Sequence, residues 1–179
     1  MSEKELYLQH RFFFFSNLLD KTSTQHFLTE FPSFSSRRVV CGGAGVSWDE
    51  FAVPEESQLF RFFHSEKILS IVFGTAGIPR QNYKASIWVN RYKEGEYINP
   101  HRDNGGSTQL LVCLRGTDES NGGGLFLEES KGVAHHLQLK AGEAVLFEAT
   151  TLKHWTTPLV ATPNHKSPIR EVAVARYYI

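Results

Sequence analysis

The sequence predicts a mainly β protein with flanking helices. Two observations carry this expectation. From Tyr83 onward, short apolar or alternating segments are separated by glycine-containing turns, as at residues 121–124 and 140–143, the pattern of an all-β core. Before Tyr83, apolar residues recur at helical intervals, which places helices against the outside of that core. A hydrophobic content of 41% with 13% aromatics, including 14 Phe, in 179 residues fits a packed globular chain rather than a disordered one. The length suits one domain over residues 1–179. Residues 1–84 would supply a strand, helices and a possible lid, and residues 85–179 the β core.

Taken in order, Arg-Phe-Phe-Phe-Phe at 11–15 reads as a buried strand. Ser16 is placed to cap a helix bearing Leu18, Leu19, Phe27, Leu28 and Phe31. Residues 31–38 and 41–45, rich in Pro, Ser and Gly, read as loops around Val39 and Val40. Glycine makes 36–45 a candidate lid. Pro54 opens a helical region with Leu59, Phe62, Phe63, Ile68, Leu69 and Val72, broken near Ser65 and ended by Gly74. Residues 85–92 form a strand on which Asn90 and Tyr92 share a face. Cys113 lies in an apolar run and reads as a small core residue. Residues 140–147 give a turn at Gly142 and a short buried strand.

Chemistry concentrates in His101-Arg102-Asp103 and His154. Two imidazoles and one carboxylate are the facial-triad ligand set for non-haem Fe(II), which leaves positions open for oxygen and a co-substrate. On a strand, His101 and Asp103 at i and i+2 project to one face, and His154 would return on another strand. The alternation at 170–179 puts Arg170, Val172, Val174 and Arg176 on one face. A buried Arg there requires an anionic partner, and its planar fork suits a carboxylate. Asn90 and Tyr92 offer further polar tips.

The stretch Asn90-Arg-Tyr-Lys-Glu-Gly-Glu-Tyr-Ile-Asn-Pro-His101-Arg-Asp103 and the Arg-x5-Arg pattern of Arg170 and Arg176 resemble the AlkB-type members of the Fe(II)/2-oxoglutarate-dependent dioxygenase superfamily. Residues 121–128 and 137–147 are similar to its prolyl-hydroxylase-like branch. The resemblance spans roughly residues 85 to 179 and implies a double-stranded β-helix, or cupin-like jelly roll, in a single catalytic domain. It further implies that His101, Asp103 and His154 hold Fe(II), that Arg170 binds the distal carboxylate of 2-oxoglutarate, and that Asn90, Tyr92 and Arg176 support it. The implied reaction consumes O2 and 2-oxoglutarate, releases succinate and carbon dioxide, and oxidises a C–H bond. Related halogenases have a small residue where Asp103 stands, so its presence argues for hydroxylation, while desaturation and ring closure use the same triad.

A net charge of 0 lacks the basic footprint of most nucleic-acid binders. Cys41 and Cys113 have no zinc or disulfide spacing. Neither a signal peptide nor an apolar membrane span is legible, so the expected compartment is the cytoplasm. The expected substrate is a small acidic or zwitterionic molecule, such as an amino acid or a natural-product intermediate, free or carrier-bound. Arg102, Asn104, Trp155, Arg37 and Arg38 are the candidate contacts. The alternatives are oxidative dealkylation of nucleic acid, hydroxylation of a prolyl or other protein side chain, and a non-catalytic jelly-roll or cupin-like metal-binding module. Gly122-Gly-Gly124 reads as a tight turn rather than a phosphate cradle, and His135 and His136 as surface or turn residues.

Overall fold

A computed structural model describes residues 1–41, 46–80, 82–106 and 108–178. Among these residues are four α-helices, α1 (Glu3–His10), α2 (Lys21–Glu30), α3 (Gln58–Phe63) and α4 (Glu66–Ala76). Ten strands accompany them: β1 (Phe12–Phe15), β2 (Ser36–Val40), β3 (Ser47–Ala52), β4 (Lys84–Tyr92), β5 (Thr108–Arg115), β6 (Leu125–Glu128), β7 (Ala134–Leu137), β8 (Ala144–Phe147), β9 (Lys153–Thr156) and β10 (Arg170–Tyr178). A seven-stranded antiparallel sheet runs β1-β8-β5-β10-β4-β3-β2, and a three-stranded sheet runs β7-β6-β9. This is the mainly β, jelly-roll architecture expected. Residues 1–84 contribute more to it than one strand, since β1, β2 and β3 all join the large sheet.

The large sheet is buried on both faces, which is why β5, β8 and β10 read as nearly continuous apolar runs. On one face, Leu110, Val112, Leu114, Leu146, Ala173 and Ala175 pack with Phe27, Leu59, Phe63, Ile68 and Val72 from the helices. On the other, Leu111, Cys113, Val145, Phe147, Val172 and Val174 pack with Leu125 and Leu127 of the small sheet. Cys113 is thus a core residue, its thiol pushed up to about 12 by burial. Glu171 is 1% exposed on the helix side of β10. It is matched by Arg91 Nε at 2.7 Å and Arg115 Nε at 3.1 Å from the flanking strands.

Several boundaries differ from the sequence reading. Helix α1 lies outside every expected element; Ser2 and Glu5 form its capping box, and Tyr7 is its buried residue. Asp20, not Ser16, caps α2, accepting from the Ser23 amide at 2.8 Å. Leu18 and Leu19 sit in the preceding turn, where both amides donate to the Gly142 carbonyl at 3.0 and 3.1 Å. A Cβ on Gly142 would stand 2.4 Å from the Leu19 carbonyl oxygen, and its φ is +88°, so this junction requires glycine. Pro54 precedes α3 by a turn, and Ser57 is the cap. The expected break at Ser65 is the N-cap of α4, which continues through Gly74 to a left-handed Gly77.

Residues 36–40 form β2, hydrogen-bonded to β3, rather than a loop. Arg37 faces Glu50 and Arg38 faces Asp49 across the pair. Residues 42–45 of the candidate lid lie outside the described residues. Among the described residues, no helix is long and apolar enough to cross a membrane.

Candidate active site

One cavity of about 550 Å³ lies on the inner face of the large sheet, beside the small sheet. His101, Asp103, His154, Arg170, Asn90, Tyr92 and Arg176 all line it. His101 is a bridge residue outside the named strands. Its backbone exchanges hydrogen bonds with that of His154 on β9 at 3.0 and 2.8 Å. The Asp103 amide donates to the Ala149 carbonyl at 2.9 Å. His101 and Asp103 therefore sit on a loop stitched to the segment carrying His154, not on a strand of their own.

The tautomers follow from the partners. His101 Nδ1 lies 2.8 Å from the Asn99 carbonyl, and His154 Nδ1 lies 3.1 Å from the Leu152 carbonyl. A carbonyl only accepts, so each Nδ1 donates and each neutral ring presents a bare Nε2 lone pair. The Nε2 atoms stand 3.8 Å from the two Asp103 carboxylate oxygens, too far to hydrogen-bond. Donor atoms of the three residues lie within 4.8 Å of one another. Two imidazole nitrogens and a carboxylate converging at this spacing are a donor set that suits a divalent cation. Burial, and then the nearness of His101, pushes His154 down to about 4, so its ring is neutral and able to ligate near pH 7.

Strand pairing supplies the rest of the wall. Tyr92 lies opposite Arg170 and Asn90 opposite Val172 in the β4–β10 register. Arg170 is 3% exposed, and its Nη2 is buried with no hydrogen-bond partner among the described residues. Its guanidinium carbon lies 5.5 Å from the Tyr92 ring centroid, and Tyr92, its phenol pushed up by burial, stays a neutral donor. Asn90 Nδ2 donates to the Tyr92 hydroxyl at 3.2 Å, leaving its buried Oδ1 without a partner among the described residues. A buried guanidinium without a counter-charge is costly unless an anion joins it. Gly123, at φ +76°, lies against this side chain, since a Cβ there would stand 3.1 Å from Arg170 Cδ. The glycine run is thus a tightly packed turn.

Arg176 has partners of its own within the cavity wall. Its Nη2 bonds to Asp103, its Nε donates to Gln109 Oε1 at 3.2 Å, and its guanidinium lies 5.3 Å from the Trp88 ring. At roughly 3.3 Å of rise per residue, Arg170 and Arg176 are roughly 20 Å apart along the strand. Arg176 braces the Asp103 carboxylate from the far end of β10.

The expected substrate contacts divide. Arg37 lines the cavity rim and is paired with Glu50 at 2.5 Å. Arg38, alternating to the other side of β2, is held by Asp49, Ser47 and Glu96. Arg102 is exposed and donates to the Thr151 carbonyl at 2.9 Å, and Asn104 is exposed; neither lines the cavity. Trp155 borders it, with its ring stacked on Phe126 at 5.1 Å. The sequence reading missed Trp48, Glu50, Trp88 and Tyr178, which line the cavity on the same sheet as Asn90 and Arg170. The parity of Asn90 extends back to Trp88, and that of Arg170 forward to Tyr178, so those two were accessible by counting in twos. Trp48 and Glu50 follow only once β3 is recognised.

No family model matches the chain. Solved structures do. An oxidoreductase of the 2OG-Fe(II) oxygenase family from Burkholderia pseudomallei superposes with TM-score 0.80 at 12% identity, covering 98% of this chain and 89% of that one. A Pseudomonas putida prolyl-4-hydroxylase gives TM-score 0.77 at 13% identity, with 98% and 96% covered. HygX from Streptomyces hygroscopicus, with nickel, 2-oxoglutarate and hygromycin B bound, gives TM-score 0.77 at 11% identity, with 99% and 87% covered. Over nearly its whole length, the chain has the fold shared by this 2OG-Fe(II) oxygenase family member, the prolyl-4-hydroxylase and HygX.

Proposed function

We propose that this chain is an Fe(II)- and 2-oxoglutarate-dependent oxygenase that hydroxylates a C–H bond of a small molecule. The observation that carries the reading is one cavity holding both a cation-seeking His-Asp-His cluster and a buried, anion-seeking Arg170. Each half fits its group. His101, Asp103 and His154 would hold iron through Nε2, carboxylate and Nε2. Arg170 would receive the distal carboxylate of 2-oxoglutarate, with the Tyr92 hydroxyl and Asn90 amide beside it. The iron and co-substrate supply oxidative decarboxylation with O2, yielding succinate, carbon dioxide and the oxidising equivalent for the substrate.

The residues of the chain do the positioning. Arg176 fixes the Asp103 carboxylate, and the Asn99 and Leu152 carbonyls fix the two imidazoles. Val172, Val174, Leu111 and Phe147 line the cavity with apolar surface, which limits water at the reacting centre. The neighbouring strands β3 and β4 support a small amphipathic substrate: Trp48 and Trp88 offer aromatic surface, and the Arg37–Glu50 pair offers one charge of each sign at the rim. The volume is in the range of small-molecule sites. An amino acid or natural-product intermediate meets these demands.

Succinate release from 2-oxoglutarate with Fe(II) and O2 tests the reading across free amino acids, natural-product acids, prolyl peptides and alkylated oligonucleotides. Stimulation by a free small molecule is the expected result. Stimulation by peptides or oligonucleotides alone would replace the substrate class, and no succinate under any condition would refute the enzyme.

A further inference from the structure

A second group of metal-type donors lies away from this cavity, at the junction of α1 with the small sheet. His10 is the last residue of α1, Glu129 directly follows β6, and His135 lies on β7. His10 Nδ1 and His135 Nε2 approach the same carboxylate oxygen, Glu129 Oε1, at 2.9 and 2.8 Å. The donor atoms of the three residues all lie within 4.8 Å of one another. Their side chains are 33%, 21% and 31% exposed, so an ion has a way in and water can complete its shell.

The scaffold holds these donors in place. The Glu129 amide and carbonyl close the β6–β7 turn, bonded to the Val133 carbonyl and the Gly132 amide at 2.9 Å each. His135 packs on the Phe12 ring at 4.9 Å between centroids, and Arg11, in a left-handed conformation, ends α1 immediately after His10. Two imidazole nitrogens and one carboxylate oxygen, with a fourth position open to solvent, are a Zn(II) donor set. Ligands about 2.1 Å from a tetrahedral ion sit about 3.4 Å apart, so the two His–Glu129 spacings need to open by only about half an ångström.

We propose that His10, Glu129 and His135 form a second divalent-cation site, of Zn(II) type, that clamps α1 to the β6–β7 hairpin. The consequence reaches the cavity through the sheet. The hairpin pairs with β9, where Leu127 stands opposite His154, so an occupied clamp steadies the small sheet that carries a triad residue.

Zn(II) stoichiometry, measured by competition with a chromophoric chelator on the intact chain, tests this. Wild type is expected to bind two equivalents, Glu129→Gln one, the His101→Ala/Asp103→Ala double variant one, and the combined triple variant none. Zn(II) should raise the melting temperature of the His101→Ala/Asp103→Ala variant and leave that of the triple variant unmoved. Glu129→Gln keeps the size and an acceptor, and circular dichroism checks that it folds. If the triad itself holds no metal, wild type binds a single equivalent that survives in the double variant and is lost with Glu129→Gln; that would sustain the clamp while refuting the oxygenase. A double variant that binds no Zn(II) would overturn the proposal and leave the cluster a hydrogen-bonded His-Glu-His contact.

Discussion

Replacing Arg170 by Leu should act with opposite sign on ligand binding and on stability. The guanidinium is 3% exposed, and its Nη2 has no partner among the described residues. Without an anion it is a buried charge that opposes folding; with one it is half of a buried, charge-assisted pair. Removing one member of such a pair costs about 3–5 kcal/mol. At about 1.4 kcal/mol per tenfold, 2-oxoglutarate should bind on the order of a hundredfold to a few thousandfold more weakly. The ligand-free protein should gain stability, because an apolar side chain of smaller volume replaces an unpaired charge. A gain of about 1 kcal/mol would raise Tm by about 2–4 °C for a chain of this size. Isothermal titration of 2-oxoglutarate into the metal-loaded protein under nitrogen gives the first quantity, and thermal melting of the ligand-free protein the second. Unchanged affinity together with a lower Tm would refute the reasoning.

Other outcomes follow from neighbouring residues. Arg176→Leu should weaken divalent-metal binding by about 10–100-fold, the usual range when a residue bracing a metal ligand is lost, while 2-oxoglutarate affinity at saturating metal stays within a few-fold; isothermal titration separates the two. Glu171→Ala should destabilise the fold by about 3 kcal/mol, since it leaves Arg91 and Arg115 without their buried partner. The low end of the range applies because both arginines are partly solvated, and urea unfolding would show the loss. One thiol, Cys41, should react with a maleimide in the native protein. Cys113, buried and held protonated, should react only after denaturation, as counted by mass spectrometry.

What was legible in the sequence is what depends on local period. The alternation at 170–178 gave a strand whose Arg170 and Arg176 line one cavity, and the glycine at 142 marked the turn into β8. The spacing of His101, Asp103 and His154 pointed to one cluster, and the three side chains do converge. Features set by distant partners were not legible. Residues 36–40 have loop-like neighbours, and they form a strand because Arg37 and Arg38 meet Glu50 and Asp49 across β3. Ser16 and Asp20 are equally good caps by type. Asp20 prevails because the Gly142 carbonyl captures the Leu18 and Leu19 amides and holds that turn out of the helix. Helix α1 announced itself only through Ser2 and Glu5, since a helix burying one residue leaves almost no apolar period. Trp48 and Glu50 could not be assigned to the cavity until β3 was in register with β4.

The most direct test of the central claim is whether metal and 2-oxoglutarate share one site. Equilibrium binding of 2-oxoglutarate under nitrogen, with and without Fe(II), should give one equivalent per chain that tightens strongly with metal. His101→Ala should abolish that tightening, and 2-oxobutyrate, which keeps the keto acid but has no carboxylate for Arg170, should bind far more weakly. Binding indifferent to Fe(II), or equal affinity for the two keto acids, would contradict the account.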